Sequence, residues 1–202
     1  MKNTHTKFAN FKTLHTGTTA FVMPNPWDAG SARLLESLGF DALATTSAGY
    51  AFSKGKRDST AGLTRREVLE NAAEIVDATD LPVSADLEDG FGATPDICAD
   101  TILRASKVGL VGGSIEDASG NADQPIFDFR LSVERICAAA EAARDLPFLL
   151  TARAENFLWG NPDLTDTIKR LQAYSDAGAD VLYAPGLPDL AAIREVCQSV
   201  DK

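Results

Sequence analysis

The chain of 202 residues holds only two histidines, three cysteines and two methionines. It also contains no apolar run of about 18 residues, which excludes a transmembrane helix within it. The opening stretch "MKNTHTKFANFKTLHTG" has no apolar core and does not read as a secretory signal. The cysteines (Cys98, Cys137 and Cys197) are far apart, odd in number and fall in segments with helical patterning. They read as small buried hydrophobes of a reducing cytoplasm rather than a disulfide framework or a metal site. Positive charge is scarce: 19 basic residues stand against 29 acidic ones, for a net charge of −10. That balance argues against a nucleic-acid partner held on a basic surface. With 45% hydrophobic and 24% charged residues, the composition is that of a single soluble globular domain over residues 1–202, placed in the cytoplasm.

Short apolar runs alternate with longer helical patterns. The runs are "AFVMPN" (20–25), "ALATTS" (42–47), "VSADLE" (83–88), "GGSIED" (112–117), "FLLTAR" (148–153) and "VLYAPG" (181–186). Near-continuous apolar character over so few residues fits parallel strands buried on both faces. The helices between them carry boundary signals. Thr64-Arg65-Arg66-Glu67 is a capping box ahead of Val68, Ala72, Ile75 and Val76 at helical spacing. Thr94-Pro95-Asp96 and Asn161-Pro162-Asp163 each offer a cap followed by proline at the first helical position. "LLESLGFDAL", "RASKVGLVGGSI" and "AYSDAGADVLY" repeat one arrangement of helix, glycine and strand. This βα period predicts a parallel α/β fold, open or closed into a (β/α)8 TIM-type barrel. No glycine-rich fingerprint follows the first strand, so the dinucleotide-binding form is set aside and the barrel preferred. Six units account for the chain where a barrel has eight. It reads as a barrel truncated after the sixth βα unit, without strands 7 and 8, or as one completed by another chain.

In such a fold the C-terminal strand ends build the site. They present Asn25 and Trp27, Ser47 and Gly49, Asp86 and Glu88, Glu116 and Asp117, and Arg153 and Glu155. Asp86 and Glu88 lie two apart and would share one face of a strand. Converging carboxylates repel, so either one keeps its proton or a cation holds them. Both histidines, His5 and His15, precede the first expected strand, and no cysteine lies at a strand end, which disfavours zinc and copper. Oxygen-only ligation points to Mg²⁺, with Mn²⁺ as a substitute. No lysine stands at a strand end, against a Schiff-base aldolase. Arg153 either binds a substrate carboxylate through its planar fork or forms an ion pair with Glu116 or Glu88. Trp27 is either barrel-mouth packing or a substrate wall. Residues 50–63 and 118–127 are long polar loops: lids over the site, or ordinary mobile loops.

"PNPWDAGSARLLESLGFDALATTSAGYA", "KGKRDS", "VSADLEDGFG", "GSIEDA" and "TARAENFL" occur in order, and together they resemble the isocitrate lyase / phosphoenolpyruvate mutase superfamily. The resemblance implies a Mg²⁺-dependent (α/β)8 barrel that assembles as a homo-oligomer, a dimer or tetramer. Such proteins make or break C–C or P–C bonds of small 2-oxo or 2-hydroxy acids through an enolate-like or metaphosphate-like species. It implies metal roles for Asp86, Glu88 and Glu116, with Glu88 acting through water. It also implies catalytic roles for Arg153 and Asp58, and substrate contacts for Trp27, Ser47, Ala48, Gly49 and Arg153.

The departures are as specific. The lysine-lysine-cysteine-glycine-histidine motif of the isocitrate and methylisocitrate lyases is replaced by "ASGNADQPIF". The histidine and serine of phosphonate-acting members, and the lyases' glutamate in the same region, are replaced by "YAPGLPD". The expected activity is a Mg²⁺-dependent C–C lyase or decarboxylase acting on a small carboxylic acid. A P–C bond enzyme and a catalytically silent ligand-binding or oligomeric barrel are the competing expectations.

Overall fold

The computed structural model describes residues 3–58 and 62–202. Two helices, α1 (Thr4–His15) and α2 (Ala29–Ser37), precede β1 (Leu43–Ala44). Then come α3 (Ser47–Ser53), α4 (Arg65–Ala78), β2 (Val83–Asp86), α5 (Pro95–Lys107) and β3 (Gly112–Glu116). A hairpin of β4 (Ala118–Asn121) and β5 (Gln124–Ile126) leads to α6 (Phe129–Ala143) and β6 (Leu149–Arg153). The last elements are α7 (Leu164–Asp176), β7 (Val181–Tyr183) and α8 (Leu190–Ser199). The strands pair in parallel in the order β1-β2-β3-β6-β7, so all their C-terminal ends lie on one face.

This is the expected α/β architecture, with a five-stranded half-barrel among the described residues in place of six strands. The expected strand at 20–25 is absent for a plain reason. Pro24 and Pro26 have no N–H to donate to a ladder. The segment still lies beside β1, through Ala44 N–H to the Pro24 carbonyl (3.1 Å) and Asn25 Nδ2 to the Ala44 carbonyl (3.1 Å). The other five strands form, each shorter than its apolar run. Segment 118–126, expected as a loop, is the β4–β5 hairpin.

The main core lies between the sheet and its helices, with Leu43, Ile75, Leu87, Ile102, Ile115, Leu150 and Leu171 fully buried. A second, smaller core closes the N-terminal strand ends. There α1 presses Phe11 against Ala42, Val111 and Leu149, and Lys7 donates to the Thr79 carbonyl at 2.8 Å. Gly112 allows that approach, since a Cβ there would stand 2.7 Å from Phe11 Cε1. With this end plugged, polar chemistry is confined to the opposite face.

Thr64 and Glu67 form the expected capping box. Pro95 begins α5, but the Thr94 side chain makes no cap bond. At α7 the cap is Asp163 rather than Asn161, and the helix starts at Leu164, beyond Pro162. Asp163 wins because its carboxylate reaches the Asp166 amide (3.0 Å), and a carboxylate suits a helix N-terminus better than an amide. Of the cysteines only Cys98 is buried; Cys137 and Cys197 sit on exposed helix faces, and all three are free thiols.

Candidate active site at the C-terminal strand ends

Parallel pairing sets Glu116 directly opposite Arg153 on neighbouring strands, and Arg153 opposite Tyr183 on the next. The Arg153 guanidinium is the hub of the site. Its Nε and Nη2 reach Glu155 Oε1 at 2.9 and 2.8 Å, Nη2 stands 3.3 Å from Glu116 Oε2, and Nη1 donates to Asp86 Oδ1 at 3.4 Å. Asp86 is held from the other side by Ser47, whose Oγ and N–H reach Oδ2 at 2.8 and 3.3 Å. Burial works against the Arg153 charge, yet Glu116, Asp86 and Glu155 hold its pKa above the usual arginine value. Burial also pushes Glu116 well above the usual carboxylate range, against the pull of Arg153 and with the repulsion of Glu155, Asp86 and Glu88.

Glu88 reaches the site by a route that strand alternation does not describe. β2 ends at Asp86, and Glu88 adopts a left-handed backbone with φ of 49°. Its amide donates to Asp86 Oδ1 (3.2 Å), its carbonyl accepts from the Glu116 amide (2.9 Å), and its side chain is 5% exposed. Oε2 is buried without a hydrogen-bond partner. Burial, then the charges of Asp86, Asp89 and Asp58, push its pKa up to about 8. Asp89 turns to its own loop, accepting from the Phe91 amide at 2.8 Å.

Asp58 joins the cluster from the loop after α3. Burial and the Asp86 charge raise its pKa, while a hydrogen bond from Ser47 and the charge of Arg153 lower it. Ser47, Ala48 and Gly49 form the first turn of α3 rather than the end of a strand. The Gly49 amide is taken by the Thr46 cap at 3.0 Å. Trp27 is 46% exposed and packs its Cβ against Gly49, outside the cavity below. Of the expected lid at 50–63, residues 50–53 belong to α3, and 59–61 lie outside the described residues.

A cavity of about 350 Å³ opens on the inner face of the sheet, lined among others by Asn25, Asp86, Ser114, Thr151, Arg153 and Tyr183. The Tyr183 ring lies 5.2 Å from the Arg153 guanidinium, a cation–π contact. Two acids without an expected role shape the site. Glu155, 1% exposed, grips Arg153, and its amide is fixed by Asp117 Oδ1 at 2.8 Å. Asp117 is in turn held by Tyr174 Oη (2.7 Å) and Arg170 Nη1 (3.0 Å). The two-residue spacing of Arg153 and Glu155 was a visible signal for that pair. Nothing local in the sequence pointed to Tyr174 or Arg170.

Among the described residues, no group of three or more histidine, cysteine, aspartate or glutamate side chains stands close enough to cage an ion unaided. Asp86, Glu88 and Glu116 do not converge on one point; Arg153 stands between Asp86 and Glu116. The donors still fit Mg²⁺, which keeps several waters and takes only one or two carboxylates directly. The orphaned Glu88 Oε2 is the atom that asks for a cation.

The profile of the family described as phosphoenolpyruvate phosphomutase matches residues 11–202. A crystal structure from Burkholderia cenocepacia J2315, described as a lyase/mutase, superposes with a TM-score of 0.94 at 57% identity, over 98% of this chain and 70% of that one. The structure of 2,3-dimethylmalate lyase gives 0.86 at 30% identity, over 99% of this chain and 70% of that one. The 2-methylisocitrate lyase of Escherichia coli K12 is 29% identical over 179 residues, 86% of this chain and 60% of the enzyme. With that profile running to the last residue and the acid-bearing strand ends in place, the chain belongs to the phosphoenolpyruvate phosphomutase family, within the PEP mutase/isocitrate lyase superfamily.

Proposed function

We propose that this chain carries the site of a Mg²⁺-dependent lyase that cleaves a C–C bond of a small 2-oxo or 2-hydroxy acid beside its carboxylate. The observation that carries the reading is the buried, unpartnered Glu88 Oε2 in a cluster with Asp86, Asp58 and Glu116 around one arginine. Asp86, Glu88 and Glu116 would hold Mg²⁺ directly or through water. The ion supplies Lewis-acid stabilisation of negative charge developing on a substrate oxygen. Arg153 orients the substrate carboxylate, since Asp86 engages only one of the two Nη1 hydrogens. Glu155 fixes the plane of the guanidinium by accepting from Nε and Nη2 together. Ser47 holds Asp86, and Asp58 closes the cluster from the loop side; Trp27, Ala48 and Gly49 lie outside the cavity and keep only a structural part here. The assembly state is proposed to be a homo-oligomer.

The names of the 2,3-dimethylmalate and 2-methylisocitrate lyases favour C–C chemistry on such acids. The "KRDS" segment that carries Asp58 resembles phosphonate-acting members more than lyases and supports a second reading, a P–C bond enzyme. Turnover of a panel of 2-hydroxy and 2-oxo dicarboxylates, followed by proton NMR as loss of substrate and appearance of its cleavage acids, tests the first. It should stop with EDTA and return with Mg²⁺; an unchanged rate in metal-stripped protein refutes the mechanism. Phosphorus NMR with phosphonopyruvate tests the second, and an unaltered spectrum rules it out. Calorimetry with Mg²⁺ and oxalate separates both from a silent scaffold, which would give no heat.

A further inference from the structure

The loop that delivers Glu88 is held in an uncommon backbone. Glu88, Gly90 and Phe91 have φ of 49°, 78° and 64°, so two residues with side chains sit in the left-handed region within four positions. L-residues avoid that region unless surrounding contacts impose it. Here the contacts come from two helices. Thr101 of α5 donates Oγ1 to the Gly90 carbonyl at 2.8 Å, and Cys98 Sγ lies 3.9 Å from the Asp89 carbonyl. Arg135 of α6 donates Nη2 to that same Asp89 carbonyl.

Arg135 is an unusual choice for this place. It is 1% exposed, among the largest fully buried side chains, in a helix that packs on α5 and buries Ile136 and Ala139 in the main core. Its Nε and Nη1 have no hydrogen-bond partner, and its guanidinium lies over the Phe127 ring at 4.0 Å. Apolar packing of α6 needs no cation, and a buried guanidinium with unmet donors is costly. The group faces one backbone carbonyl, the neighbouring Asp89 carboxylate, whose charge it partly offsets, and the Cys98 thiol.

We propose that Arg135 is a positioning residue: its bond to the Asp89 carbonyl locks residues 88–91 in the left-handed turn that sets the Glu88 carboxyl beside Asp86 and Asp58. Once this bond is lost, the loop relaxes toward ordinary backbone angles and Glu88 leaves the cluster. The metal-binding consequence rests on the function proposed above; the locking of the loop does not.

The test compares the full chain with R135M and R135K by hydrogen exchange and by Mn²⁺ calorimetry. In R135M the Gly90 and Glu116 amides, which donate to the Leu87 and Glu88 carbonyls at 2.9 Å, should lose protection at least tenfold while the Leu150 amide keeps its own. Mn²⁺ affinity should fall about 10–100-fold, as when an outer support of a metal site is removed. R135K retains a donor and should restore part of both. Uniform loss of protection in R135M, or no loss, overturns the proposal. If R135M does not fold, R135Q decides, because its side chain is two bonds too short to reach the Asp89 carbonyl: selective exchange at Gly90 and Glu116 supports the lock, and wild-type exchange there refutes it. If the wild-type chain takes up no Mn²⁺, the functional reading fails and the exchange result alone judges Arg135.

Discussion

Replacing Glu88 by glutamine isolates the cost of the acid cluster. In the folded chain the Glu88 carboxyl titrates at about 8 instead of the usual 4.5, so between those pH values the folded state keeps a proton that the unfolded chain has released. Stability must therefore fall as pH rises through that window. At about 1.4 kcal/mol per pKa unit, the penalty approaches a ceiling of about 5 kcal/mol above pH 8. Glutamine keeps the shape and removes the charge. We expect metal-free E88Q to match the wild type within about 1 kcal/mol at pH 5 and to exceed it by about 2–5 kcal/mol at pH 9, read by urea unfolding in EDTA. The same variant should bind Mg²⁺ more weakly, and wild-type affinity should rise with pH up to about 8, since binding displaces the proton. Parallel stability curves for the two proteins from pH 5 to 9 would refute the desolvated placement of Glu88.

Arg153 and Gly112 give further tests. R153M strips the partner from Asp86, Glu116 and Glu155 and should cost about 3–5 kcal/mol at pH 8. The loss should shrink as pH falls, since burial raises Glu116 and Glu155 and makes them take up protons more readily than ordinary carboxylates; wild-type stability at pH 8 would show that Arg153 does not hold the cluster. G112A forces a methyl against Phe11 and, at 3.2 Å, the Leu149 carbonyl, and should cost about 1–3 kcal/mol in denaturant unfolding. An unchanged midpoint would mean that α1 does not plug the strand ends.

Much of this was legible in the sequence because parallel strands are short apolar runs and their polar ends are abrupt. Five of six runs became strands, and Asp86, Glu116 and Arg153 appeared where the pattern put them. The sixth failed on proline chemistry that was visible in Pro24 and Pro26. The cap at Asp163 was missed because Asn161 and Asp163 are both credible caps, and only the chain path around Pro162 separates them.

The limits of sequence are sharpest at "VSADLEDGFG". Its order and its neighbours determine that acids end a buried strand, and the lack of histidine and cysteine at the strand ends is what turns the proposed cation toward Mg²⁺. Strand alternation stops at Asp86, however, and beyond it side-chain direction depends on backbone angles set by partners 10 to 50 residues away: Thr101, Glu116 and Arg135. Tertiary structure alone decided that Arg153 stands among three acids rather than beside one. It also decided that Glu155 grips that arginine from a backbone tied to Asp117, Arg170 and Tyr174. Local pattern dictates which groups arrive at the strand ends; long-range hydrogen bonds dictate where their charges point.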